Sequence, residues 1–146
     1  MNVLFFLTPK CECSVILETD SLRQVMEKME KNSHAAVPLL DREGRYSGTI
    51  SEGDLLWFIK NRLSGGIDMK AAERIKVTEI PRKRDYTAIS GRANVDEIIQ
   101  MSISQNFVPI QDDEEKFIGI VTRTDAMKYI SSKLKAGQKP SLTDLQ

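Results

Sequence analysis

The chain has 146 residues, with 21 Lys and Arg balanced by 21 Asp and Glu, so its formal net charge is zero. That balance argues against bulk electrostatic capture of nucleic acid, which needs a basic excess. Hydrophobic residues at 40% and charged residues at 29% describe an ordinary globular chain rather than a disordered one, and no stretch nears the ~20 apolar residues that span a bilayer.

The first apolar run, Val3-Leu4-Phe5-Phe6-Leu7, is shorter than a secretory core, and no Lys or Arg precedes it. A cytoplasmic location is the default expectation. Cys11 and Cys13 follow at a spacing too tight for an unstrained disulfide. They read as two reduced thiols on or near a strand. The alternative is a metal site completed by His34, the single histidine. Structural zinc usually takes four protein ligands, so no metal is expected.

Ser14 to Leu17 is a short β-rich run. Asp20 or Ser21 caps a helix whose apolar positions Leu22, Val25, Met26 and Met29 follow the i, i+3, i+4, i+7 pattern. Ala36 to Leu40 reads as a buried strand, and Asp41 to Arg45 as a polar turn with a glycine. Tyr46 to Ile50 is the next strand, and Ser51 starts a helix that runs to about Leu63. Ser64-Gly65-Gly66 breaks the chain, and Met69 to Arg74 adds a short connecting helix. The same order then returns. Tyr86 to Ile89 is a strand, and Asn94 caps a helix through Val95, Ile98 and Ile99. Phe107 to Ile110 and Lys116 to Val121 are strands around the turn Gln111 to Glu115, and Thr122 starts a helix to about Leu134. Residues 136–146 carry Gly137, Pro140 and polar side chains and read as a flexible tail.

The repetition has a register. Ala36-Val37-Pro38-Leu39-Leu40-Asp41 matches Phe107-Val108-Pro109-Ile110-Gln111-Asp112 at an offset of 71 residues, from Val37 to Val108. Gly48 then meets Gly119, Ser51 meets Thr122, and Asp54 meets Asp125. Fixed-period self-similarity is the signature of a repeat architecture. Two β-α-β-β-α units result, with residues 1–66 holding the first repeat and its N-terminal segment and 67–135 the linker and second repeat.

Two such units, each with Val-Pro before a turn and Gly-x-h-[Ser/Thr]-x-x-Asp after it, resemble the CBS domain, named for cystathionine β-synthase. A tandem pair is similar to a Bateman module, and the resemblance runs from about Val3 to Leu134. It implies an α+β fold with the repeats packed about a pseudo-two-fold axis. It also implies two clefts that take adenosine-containing ligands such as AMP, ADP, ATP or cyclic di-AMP. No cofactor is required; the nucleotide is a regulatory ligand.

The residues support such a site on their own terms. Ser51 and Thr122 sit where a strand becomes a helix, where free N–H groups and the dipole favour an anion. Asp54 and Asp125 lie in the first turn, and helical side chains lean back toward the N-terminus. A carboxylate suits the paired hydroxyls of a ribose. The competing reading is a capping box, which needs no ligand. The copies differ: Arg123 would flank a phosphate in copy two, whereas Glu52 would repel one in copy one. The second cleft is therefore expected to hold the charged nucleotide. Arg82-Lys83-Arg84 enters copy two, and the resemblance places this segment near the cleft, where the three side chains, Arg84 among them, would meet phosphates; a solvated basic stretch is the alternative. His34, Ala36 and Val37, with Phe107, Val108 and Pro109, line the base slot by resemblance. Phe107 packs either on adenine or in the core.

Leu55-Leu56-Trp57-Phe58-Ile59 puts five large apolar side chains in succession on one helix. Five in a row exceed a single amphipathic stripe, and large patches are seldom left wet. A homodimer through helices 52–63 and 123–134 is expected. No P-loop, dinucleotide fingerprint or metal cluster is present, so no enzyme is expected. The expected role is a nucleotide sensor that signals to a separate effector protein. The alternative is a ligand-free scaffold whose Ser/Thr-x-x-Asp motifs merely cap helices.

Overall fold

The computed structural model describes residues 3–32, 35–62 and 68–137. In chain order its strands are β1 (Thr8–Pro9), β2 (Ile16–Leu17), β3 (Ala36–Leu40), β4 (Tyr46–Ser51), β5 (Ile89–Ser90), β6 (Phe107–Gln111) and β7 (Phe117–Thr122). Its helices are α1 (Leu22–Asn32), α2 (Glu52–Arg62), α3 (Met69–Arg74), α4 (Val95–Ser104) and α5 (Arg123–Lys135). Short 3-10 turns cover Val3–Phe5, Lys10–Glu12 and Val77–Glu79. No helix among the described residues is long and apolar enough to cross a membrane.

The described residues fall into two compact units, 14–85 and 3–13 with 86–137. The units thus exchange the segments that lead into the repeats. Residues 3–13 precede the first repeat in sequence but pack with the second, and 68–85 pack with the first.

In the unit of residues 14–85 the sheet order is β2-β3-β4. Ile16 pairs with Leu39 in parallel and Val37 with Ile50 antiparallel. The helical periodicity holds: Leu22, Val25 and Met29 are buried and Met26 packs beside them. Val77 and Ile80 join this core from the linker. Each such side chain contributes roughly 1.5–3 kcal/mol on burial.

In the other unit the order is β1-β7-β6-β5, around Val3, Ile98, Val108, Ile110 and Val121. Here the expected strand from Tyr86 to Ile89 shifts to Ile89–Ser90. The cause is Gln105, which is buried. Its side chain accepts from Thr87 N at 2.9 Å and donates to Thr87 O at 3.3 Å, so this stretch has a side-chain amide in place of a strand partner.

Two glycines let the lead-in segments cross the edge strands. A Cβ on Gly119 would collide with the Thr8 carbonyl, and one on Gly48 with the Arg82 and Asp85 side chains. The hairpin turns are also twins. Asp41 Oδ1 accepts from Glu43 N and Arg45 N, and Asp112 Oδ1 from Glu114 N and Lys116 N. The left-handed position holds Gly44 (φ 80°) in one turn and Glu115 (φ 65°) in the other. A non-glycine there costs about 1–2 kcal/mol. Glu115→Gly is therefore expected to stabilise the chain by about 1 kcal/mol, after the entropy glycine gives up. Thermal denaturation checks this, and an unchanged or lowered Tm contradicts it.

Candidate ligand-binding site

The two strand-to-helix junctions carry the residues that the sequence singles out. At the first, Ser51 N donates to Asp54 Oδ2 at 3.0 Å and Asp54 N donates to Ser51 Oγ at 3.1 Å. This is the reciprocal cap that satisfies the first orphan donors of α2. Asp54 does more. Its other oxygen accepts from Lys83 N at 2.9 Å, and the side chain is buried. Both oxygens of Asp54 thus hold backbone of its own unit.

The segment around Lys83 is tied to the same strand. Asp85 Oδ1 accepts from Thr49 N at 3.0 Å and from Arg82 Nε at 2.8 Å, and Asp85 Oδ2 accepts from Arg82 Nη2 at 3.2 Å. Arg82, the first cation of the basic run, is therefore already neutralised. Arg84 is exposed. Partial burial pushes the Asp85 carboxyl up, but the Arg82 guanidinium and the Thr49 N–H outweigh it and hold the group below its usual value.

The second junction is built alike but less filled. Thr122 N donates to Asp125 Oδ2 at 3.4 Å, and Asp125 N donates to Thr122 Oγ1 at 3.1 Å. Asp125 is only half-buried, and its Oδ1 takes no hydrogen bond from any described residue. Arg123 lies exposed beside it and donates Nε to Ser102 O, on α4, at 2.8 Å. That bond engages Nε, while the terminal nitrogens have no described partner.

The strand register brings further expected residues to these junctions. Ala36 pairs with Ser51 and Phe107 with Thr122. Val37, Val108 and Pro109 are buried in the sheets, and Ala36 is half-buried. Of the two roles open to Phe107, the structure places its ring in the core. It is 5% exposed and meets Tyr86 edge-on at 4.9 Å between centroids. Tyr86, expected only as the start of a strand, is the half-buried ring of that pair. His34 lies outside the described residues. Burial pushes the Cys13 thiol up to about 11, so it stays protonated at neutral pH.

With this geometry in place, comparison with known proteins is direct. The CBS domain family matches residues 9–61 and 77–132. The chain belongs to the CBS-domain family. It is 25% identical over 127 residues to cyclic di-AMP receptor B of Bacillus subtilis, covering 82% of this chain and 80% of that protein. It superposes on the crystal structure of CbpB in complex with c-di-AMP with a TM-score of 0.78, at 24% identity, over 93% of this chain and 88% of that one. It also superposes on CBSX2 in complex with AMP, with a TM-score of 0.70 at 20% identity, over 92% and 98% of the two chains.

The Asp85 pair makes a pH prediction. A carboxyl whose folded pKa lies below its unfolded value of about 3.9 stabilises fully above that value and loses its contribution as pH falls through the folded one. The pair is half-exposed and partly screened, so Asp85→Asn is expected to cost about 1 kcal/mol at neutral pH. In urea unfolding, the gap to the natural chain should narrow as pH drops below about 4. A gap that widens in acid contradicts the assignment.

Proposed function

We propose that the chain is a regulatory CBS pair that binds an adenosine phosphate, with Thr122, Arg123 and Asp125 as its main polar anchor. The observation that carries this reading is the difference between the two carboxylates. Asp54 has both oxygens engaged by backbone donors, whereas Asp125 keeps one without a described partner. A ribose with two hydroxyls needs such an acceptor. Arg123 and the positive end of α5 supply charge for a phosphate. At the other junction, the exposed Glu52 opposes one. Cyclic di-AMP and AMP, named for relatives, share this adenosine phosphate. The role is regulatory rather than catalytic: binding acts by favouring one state of the assembly over another.

That assembly is a homodimer through α2 and α5. Leu55 and Phe58 are buried, but Leu56 is 66% and Trp57 58% exposed, and on α5 Met127 is 64% and Leu134 61% exposed. A second copy is the partner that would cover both helices, and a separate effector protein reads the outcome.

Isothermal titration with AMP, ADP, ATP and cyclic di-AMP tests the ligand. At least one should bind. Asp125→Ala should then weaken binding by more than about tenfold, while costing only about 1 kcal/mol of cap stability. No binding to the folded chain by any of the four favours the scaffold alternative. Light scattering tests the dimer. The natural chain should have the mass of two copies and the Leu56→Asp, Trp57→Asp variant the mass of one. A natural chain that stays monomeric at every concentration rules the dimer out.

A further inference from the structure

The unit of residues 3–13 and 86–137 carries a groove that the junctions do not use. It encloses about 570 Å³ and is lined by Leu4, Gly91, Arg92, Asn94, Asp113 and Ile118, among others. Gly91 is part of its lining. A Cβ there would lie 3.4 Å from Ile118 Cδ1 and 3.7 Å from Leu4 Cδ2, ordinary contact distances. The rim is charged. Arg92 and Asp113 pair at 2.7 Å, both well exposed, and the adjoining turn Asp112-Asp113-Glu114-Glu115 is four acids in succession. Leu4 in the lining is 50% exposed, and Phe5, the next residue in the chain, is 79% exposed.

The fold does not require this surface, because the other unit builds the same place differently. Val3 and Val77 each open a 3-10 turn and are fully buried. The next two residues are Leu4 and Phe5 in one turn, Thr78 and Glu79 in the other. Gly91 N donates to Gln111 O just as Glu18 N donates to Leu40 O. Ile118 precedes Gly119 as Ser47 precedes Gly48. The apolar trio Leu4, Gly91 and Ile118 thus stands where its twin has Thr78, Glu18 and Ser47. The acidic turn stands where its twin has Asp41-Arg42-Glu43-Gly44-Arg45, with both charges mixed. An exposed apolar groove confined to one of two equivalent places marks an interaction surface.

We propose that this groove docks a protein segment that inserts one apolar side chain between Leu4 and Ile118 and sets Lys or Arg against the acidic turn. The sign follows from the adjoining turn, whose four acids outnumber the two cations nearby in sequence or space, Lys116 and Arg92. The exposed Arg92–Asp113 pair contributes little and can be exchanged for a partner's cation. Charge complementarity of this kind sets which partners are accepted.

The test is an NMR titration of backbone amides with two short synthetic peptides. One has a central leucine flanked by lysines, and the other the same leucine flanked by glutamates. The lysine peptide should shift Leu4, Gly91 to Asn94 and Ile118 saturably, with the glutamate peptide on the order of tenfold weaker. Gly91→Leu fills the groove at a position outside the left-handed region. It should abolish the shifts, as should Asp113→Lys, with Tm and nucleotide binding unchanged. The proposal is overturned if the lysine peptide shifts none of these amides, if both peptides act equally, or if the shifts fall elsewhere. It is also overturned if the same amides move with protein concentration alone, which would make a second copy the occupant.

Discussion

The outer N–H groups of β4 and β7 set the constraint on which the rest of the structure depends. An uncovered edge strand exposes its donors and invites pairing with another chain. Each repeat solves this with the segment that leads into the other repeat. On β7 the solution is backbone: Thr8 pairs with Ile120 and Pro9 with Gly119. On β4 it is a side chain, with Asp85 accepting from Thr49 N. Both need a glycine in the edge strand, because any Cβ at Gly48 or Gly119 would strike the crossing segment. The exchanged segments are thus a product of edge protection.

The two solutions leave different chemistry at the helix that follows each strand. Where Asp85 staples the linker, Lys83 N is brought onto Asp54, and the junction is filled by its own chain. Where β1 does the work, Asp125 has no second donor among the described residues. One sequence pattern, Ser/Thr-x-x-Asp, therefore serves as a closed structural joint in one unit and an open polar site in the other. The same two capping bonds form in both units, so capping by itself engages only one oxygen of each carboxylate.

Much of this was legible in the sequence, and the reasons are specific. The 71-residue offset and the Val-Pro and Gly motifs predicted the two repeats, because strand period, turn chemistry and cap residues all agree there, although the compact units divide at 13 and 85 rather than at 66. The run Ala36–Leu40 and the helix Met69–Arg74 form as expected. The apolar run on α2 divides as its circumference requires, with Leu55 and Phe58 inward and Leu56 and Trp57 outward. Other features rest on contacts distant in sequence. Nothing local marks Asp85 as the partner of Thr49, 36 positions away, or Gln105 as the clamp on Thr87, 18 away. The exchange of the lead-in segments goes with those contacts, whereas Arg82 is neutralised locally, by Asp85 three residues on. The core role was one of two open to Phe107, and its edge-on contact with Tyr86 is another pairing that the sequence pattern does not encode.

We propose that the Thr122–Asp125 junction, and not its twin, receives the ligand. A crystal structure of this chain grown with cyclic di-AMP addresses it most directly. The expected result is a ribose within hydrogen-bond distance of Asp125, phosphate oxygens near Thr122 and Arg123, and Lys83 N still bonded to Asp54. A ribose bound to Asp54 with Lys83 displaced, or a nucleotide that touches neither carboxylate, would contradict it.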